Sequence, residues 1–225
     1  MKIRDIKAVG FDWEGTLVDS MLAKAQCFAE AVVEFYPKLK GKENEIGDIY
    51  LATRGYLRQE QLRFVLEKYA LAERSENLRE WSDLFTSLYI NKKLPLFDDA
   101  IKVLEELRKR GYKLFLFSSV PQADLDKNID SYPVRHYFEF ILGSSPDGTF
   151  KKAKPHLTYA SRTLAIPFGE MAFVSDSPLD AKGANELGIF SVGKADPRVA
   201  NSRHDFEKAN PRLIIEDLEE LLEYF

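Results

Sequence analysis

The chain has 225 residues, a net charge of −4, and 45% hydrophobic and 12% aromatic residues. That composition supports a sizeable buried core and excludes a disordered chain. The negative balance argues against nucleic acid as the partner, because binding a phosphate backbone needs a basic face.

The basic run Arg108 to Lys113 reads as the solvated end of a helix. The opening residues lack a signal-peptide pattern, and no apolar run approaches the ~18 residues of a membrane span. The expectation is a soluble, cytoplasmic protein with no membrane partner. Cys27 is the single cysteine, so no intrachain disulfide forms; in its apolar helical stretch it reads as a buried small hydrophobe.

Taken in chain order, the first apolar run is Ala8-Val9-Gly10-Phe11, which leads into Asp12. From 19 to 93 the pattern is helical throughout, with candidate helices Ser20–Phe35, Tyr56–Tyr69 and Asn77–Ile90 and loops marked by Pro37, Gly41 and Gly47. Asp98 to Arg110 has helical spacing and ends at Gly111. The run Leu114–Phe117 leads into Ser118-Ser119, and Phe140-Ile141-Leu142 leads into Gly143. Pro155 to Leu164 reads as a helix. Ala172-Phe173-Val174 leads into Ser175-Asp176. Leu179 to Leu187 is helical and stops at Gly188. Ile189 to Val192 is a last strand, and Ile214 to Tyr224 reads as an acidic closing helix.

Nearly continuous apolar runs alternating with helices predict a parallel sheet covered on both faces. The fold class is therefore α/β: a Rossmann-like core from 1–18 and 94–225, with an all-helical domain from 19–93 inserted after the first strand.

Open parallel sheets bind ligands beyond the carboxyl ends of their strands. The polar groups at those ends are Asp12 and Glu14, Ser118, and Asp176 with Asp180; Lys154 follows the third strand. Clustered carboxylates repel one another and call for a cation. Oxygen ligands favour Mg²⁺, which takes one or two carboxylates plus substrate phosphate. Lys154 and the metal would offset charge on a transferring phosphoryl group, and Ser118 would donate to a phosphate oxygen. Gly15 permits a tight turn there. His136, His156 and His204 are scattered, without metal-ligand spacing, and read as structural or exposed.

These residues resemble the haloacid-dehalogenase-like (HAD) superfamily over nearly the whole chain. The first motif is Phe11-Asp12-Trp13-Glu14-Gly15-Thr16-Leu17. The second is Ser118, the third Lys154 in Lys154-Pro155, and the fourth Val174-Ser175-Asp176-Ser177-Pro178-Leu179-Asp180. The helical insert is similar to the family's first-type cap.

The resemblance implies a Mg²⁺-dependent phosphohydrolase acting on a small phosphorylated metabolite, as a monomer or homodimer. Asp12 would be the nucleophile that forms an aspartyl-phosphate. Glu14 would be the general acid and base. Asp12, the carbonyl of Glu14 and Asp176 would hold the metal, supported by Asp180. Ser118 and Lys154 would bind phosphate, and Ser119, Arg54 and Tyr56 are candidate substrate contacts.

The chain departs from the family pattern at Glu14, where its phosphatases usually carry Asp. One branch does use Glu: the enolase-phosphatases (acireductone synthases), which also carry a pair like Ser118-Ser119. That branch's Gly-Ser-x-x-Ala-Gln continuation is replaced here by Val120-Pro121-Gln122-Ala123. Two further alternatives are a metal-independent haloacid dehalogenase and a catalytically weak HAD-fold binding protein. Glu14 and Asp176 oppose the dehalogenase, since without a cation they would repel a carboxylate substrate.

Overall fold

The computed structural model describes residues 5–54, 56–72, 78–90, 92–145 and 153–225. In chain order, β1 (Ala8–Asp12) is followed by α1 (Met21–Phe35), α2 (Glu43–Ala52), α3 (Arg58–Lys68) and α4 (Leu78–Ile90). Then come α5 (Ala100–Lys109), β2 (Lys113–Pro121), α6 (Gln122–Ile129), β3 (Phe138–Ser144), α7 (Ala153–Leu164) and β4 (Met171–Ser175). The chain finishes with α8 (Pro178–Glu186), β5 (Phe190–Lys194), α9 (Ser202–Ala209), β6 (Leu213–Ile215) and α10 (Leu221–Tyr224). Asn77, the expected start of the third insert helix, lies outside the described residues.

The six strands pair in parallel throughout the sheet, in the order β3-β2-β1-β4-β5-β6. This is the doubly covered α/β sheet expected from the apolar runs. One face is an aromatic layer: Phe115, Phe117 and Phe173 pack with Leu157 and Ala160 of α7. Gly10 in β1 makes room for that layer, since a Cβ there would fall 2.0 Å from the Phe115 ring.

The contacts divide the chain into two compact units. One comprises Met1–Val18, Leu96–Pro197 and Ser202–Phe225; the other comprises Asp19–Pro95 and Arg198–Asn201. The second unit is helical, and its core centres on Phe28, whose ring meets Tyr50 at 4.9 Å, Trp81 at 5.6 Å and Phe85 at 5.7 Å. Arg198 belongs to this unit through a bidentate pair with Asp19, at 2.7 and 2.8 Å, and Val199 is buried in its core.

Several elements differ from the sequence reading: β2 continues past Phe117 to Pro121, and α6 and α9 lie where no helix is expected. The closing helix expected over Ile214 to Tyr224 instead begins as β6, which pairs Leu213 with Val192 and Ile215 with Lys194. A short 3₁₀ turn, Leu218–Glu220, and α10 follow. Ile215, Leu218, Leu221 and Phe225 are all buried, and this spacing imitates a helix face. The exposed ladder edge of β5 wins the first of them for the sheet. Gly47 is not a loop marker: it lies inside α2 and is buried against Ala25 of α1.

Candidate active site

The central position of β1 between β2 and β4 brings three strand tips together. Asp12 is level with Phe117 in β2, and Phe11 is level with Val174 in β4. Asp12, Ser118 and Asp176 therefore crowd one carboxyl edge of the sheet. The chain leaves β1 in a tight loop in which Leu17 and Val18 both donate to the Trp13 carbonyl at 3.0 Å. Gly15 turns with φ +75°, and its N–H donates to the Val18 carbonyl at 2.9 Å. The Asp176 N–H donates to Thr16 Oγ1 at 3.0 Å, which ties this loop to the one after β4.

Asp12 is half-buried, yet its pKa lies well above the ordinary carboxylate value. Desolvation is the main cause, followed by the like charges of Asp176 and Asp180 and, more weakly, Glu14. The Trp13 N–H donates to Asp12 Oδ1 at 2.7 Å and opposes the rise. Asp180 is raised to about 6, first by desolvation and then by Asp176; the Ser175 hydroxyl, which donates to Asp180 Oδ2 at 3.2 Å, pulls the other way. Helix α8 is capped by Ser177, whose Oγ accepts the Asp180 N–H. The Asp180 carboxylate is left in the acidic cluster.

The other candidates are placed differently. Ser118 is buried, and its Oγ accepts the Val120 N–H at 3.2 Å. Ser119 is exposed, the first residue of β2 after the buried run Leu114–Ser118 to be so. The Lys154 ammonium pairs with Glu186 of α8, both side chains being about half exposed. Arg54 is buried in the helical unit and donates to the Leu51 carbonyl at 2.9 Å. Tyr56, in the same unit, is exposed and meets the Phe64 ring edge-on at 5.4 Å.

The family profile described as haloacid dehalogenase-like hydrolase matches residues 6–188. The chain belongs to this family. A phosphoglycolate phosphatase of Vibrio parahaemolyticus is 26% identical to this hydrolase, covering 99% of this chain and 97% of its own. Another phosphoglycolate phosphatase, from Salmonella typhimurium, is 30% identical over 85% of this chain and 82% of its own. A haloacid dehalogenase-like family protein of Streptococcus pneumoniae has the same fold, with a TM-score of 0.74 and 22% identity over 99% of this chain and 100% of that one. Within its family this hydrolase is of the phosphatase type.

The donor chemistry of the hydrolase site suits a hard cation. Carboxylates that raise one another's pKa are relieved by a positive ion between them, and all the side-chain donors are oxygens. Among the described residues no three His, Cys, Asp or Glu side chains form a metal cage by themselves. A cation here would complete its shell with backbone oxygen, water or substrate, as Mg²⁺ commonly does. The sequence reading missed the cross-loop role of Thr16 and the contact of Trp13 Nε1 with Asn128 Oδ1 at 2.9 Å. Both join residues more than a hundred positions apart, and no local signal marks them. The cap at Ser177 did carry a signal, a Ser followed by Pro at the first helical position.

Proposed function

We propose that the chain is a Mg²⁺-dependent phosphohydrolase that takes a small phosphorylated metabolite through an aspartyl-phosphate on Asp12. The observation carrying this reading is the crowding of Asp12, at the end of β1, by Asp176, just past β4, and by Asp180, in the first turn of α8. In that setting Asp12, the carbonyl of Glu14 and Asp176 would hold Mg²⁺, with Asp180 in support. The ion would supply positive charge that keeps Asp12 ionised and offsets charge on the transferring group.

This chain's residues then divide the work. Asp12 Oδ attacks phosphorus, and the bond to the leaving oxygen breaks as Glu14 protonates that oxygen. Glu14 next takes a proton from water, whose oxygen attacks the phosphorus and releases Asp12 and inorganic phosphate. The Ser118 hydroxyl donates to a phosphate oxygen. Lys154 is the cation for the same group. An exposed ion pair such as Lys154–Glu186 is worth at most about 1 kcal/mol, so the lysine changes partner at little cost. By the family resemblance the helical unit would act as the cap, with Arg54, Tyr56 and Ser119 as candidate substrate contacts.

The relatives named phosphoglycolate phosphatase make phosphoglycolate the first substrate to try. A lid that closes over the site favours small monoesters over polymers. The test is hydrolysis of p-nitrophenyl phosphate and of phosphoglycolate with Mg²⁺, wild type against Asp12→Asn. Equal rates in the two proteins would refute the reading. Glu14 favours one alternative, the enolase-phosphatase, which turnover of methylthio-ketopentyl phosphate would decide.

A further inference from the structure

We propose that Asn128 is a positioning residue for the Asp12 nucleophile and acts through the Trp13 indole. This rests on the phosphatase reading. Trp13 stands in the chain between Asp12 and Glu14, the two residues given chemistry above. Its side chain is buried, Nε1–H donates to Asn128 Oδ1 at 2.9 Å, and Tyr132 meets the ring edge-on at 5.4 Å. Its backbone N–H is the group that holds Asp12 Oδ1 at 2.7 Å. One residue is therefore gripped at its indole end by α6 and grips the nucleophile at its backbone end.

The helix that makes the grip is itself braced. At its start, Gln122 accepts the Gly143 N–H of β3 at 2.7 Å and donates to Asp126 at 3.0 Å. Towards its end, Arg135 donates to Asp126 at 2.9 Å and to Asp130 at 2.7 Å. The Asn128 carbonyl accepts from both the Ser131 N–H and hydroxyl, at 3.1 and 2.7 Å. Since α6 begins directly after β2, the same helix follows Ser118 and holds Trp13. A flat ring with a single directional donor, fixed in this way, has one orientation open to it.

A buried indole N–H needs an acceptor whatever its function, so a purely structural role must be separated from a positioning role. Positioning predicts a loss of turnover rather than of substrate binding, since a displacement of about 1 Å at a reacting group costs up to ~10²-fold in rate. With p-nitrophenyl phosphate and Mg²⁺, Asn128→Leu is expected to lower kcat about tenfold while KM stays within about twofold. Asn128→Asp keeps the acceptor oxygen and restores most of the rate. In a Trp13→Phe background, adding Asn128→Leu costs nothing further, because the donor is already gone.

A second readout does not depend on turnover. The chain has 2 Trp, so in Trp81→Phe the emission comes from Trp13 alone. Its maximum shifts with Asn128→Leu and stays put with Asn128→Asp. Three results overturn the positioning role: kcat within about twofold of wild type in Asn128→Leu while the melting temperature falls; losses that multiply in the double variant; or an emission maximum indifferent to Asn128. Turnover that depends on Asp12 but not on Asn128 would sink the positioning role alone. Turnover indifferent to Asp12 would remove the phosphatase reading and this role with it.

Discussion

Thr16 and Asp176, separated by 160 positions, meet through a 3.0 Å hydrogen bond from the Asp176 backbone N–H to Thr16 Oγ1. Both residues are buried, and each sits in the loop that follows one of two adjacent strands. Thr16→Val keeps the shape and removes the acceptor. Loss of a buried hydrogen-bond partner costs about 1–3 kcal/mol, and urea unfolding should show that loss. Thr16→Ser, which keeps the hydroxyl, should stay within about 1 kcal/mol of wild type. If Val and Ser behave alike, the bond does not link the loops.

Asp12→Asn separates stability from function. Burial and the charges of Asp176 and Asp180 penalise the ionised Asp12, so a neutral amide relieves the folded state. Without metal, the melting temperature is expected to rise by roughly 2–4 °C for each kcal/mol gained. Hydrolysis of p-nitrophenyl phosphate falls to background in the same protein. A variant that is both inactive and less stable would contradict this account of the cluster.

The raised pKa of Asp180 sets a pH dependence. Its folded value is about 6 against an ordinary 3.8. Between these values the unfolded chain has lost the proton that the folded chain keeps. The stabilisation is therefore complete below about pH 4 and is lost as pH rises through about 6, at most on the order of 3 kcal/mol. Thermal melts in EDTA from pH 4 to 7 should fall more steeply for wild type than for Asp180→Asn. Saturating Mg²⁺ should stabilise wild type more at pH 7 than at pH 5, because ion and proton compete for the same carboxylates. Parallel melts for the two proteins would show that Asp180 does not titrate in this range.

The extra methylene at Glu14 makes a kinetic prediction. A site built around Glu loses reach when the side chain is shortened, so Glu14→Asp should lower kcat by about 10- to 100-fold. Glu14→Gln removes the proton donor and should harm alkyl phosphates more than p-nitrophenyl phosphate, whose leaving group needs little protonation. An Asp variant faster than wild type would mean that the site tolerates Glu rather than requires it.

Two glycines should respond oppositely to alanine. At Gly10 a Cβ would fall 2.0 Å from a buried Phe115 ring, so Gly10→Ala should cost about 1–3 kcal/mol by overpacking. At Gly47 a Cβ would sit in ordinary contact, 3.7 Å from the Ala25 Cβ, in the middle of α2. Gly47→Ala should therefore stabilise by about 0.5–1 kcal/mol through helix propensity. Chemical unfolding of the two variants tests both signs at once.

Local patterning carried most of the core. Runs such as Leu114–Phe117 are apolar because both faces of the strand are covered, and β2 forms there. Helix stops at Gly111 and Gly188 were legible for a similarly local reason. The same logic failed over 213–225, where buried residues at helical spacing belong to a strand, a 3₁₀ turn and a short helix in succession. Helix α2 was hidden because its only glycine, a usual breaker, is tolerated in a helix that packs close to α1.

By itself, the sequence determined which residues line the carboxyl edge of the sheet: Asp12 closes β1, Asp176 follows β4, and Ser118 lies within β2, one position past the residue level with Asp12. An apolar run closed by a polar residue records where a buried strand leaves its apolar surroundings, and that information is local. Only the tertiary structure decided which partner each group keeps. It paired Lys154 with Glu186, set Asn128 on the Trp13 indole, and joined Arg198 to Asp19, so that a segment following β5 belongs to the helical unit. Hydrogen bonds and ion pairs act over a few ångströms, and which side chains come that close is set by the packing of the chain rather than by their spacing along it.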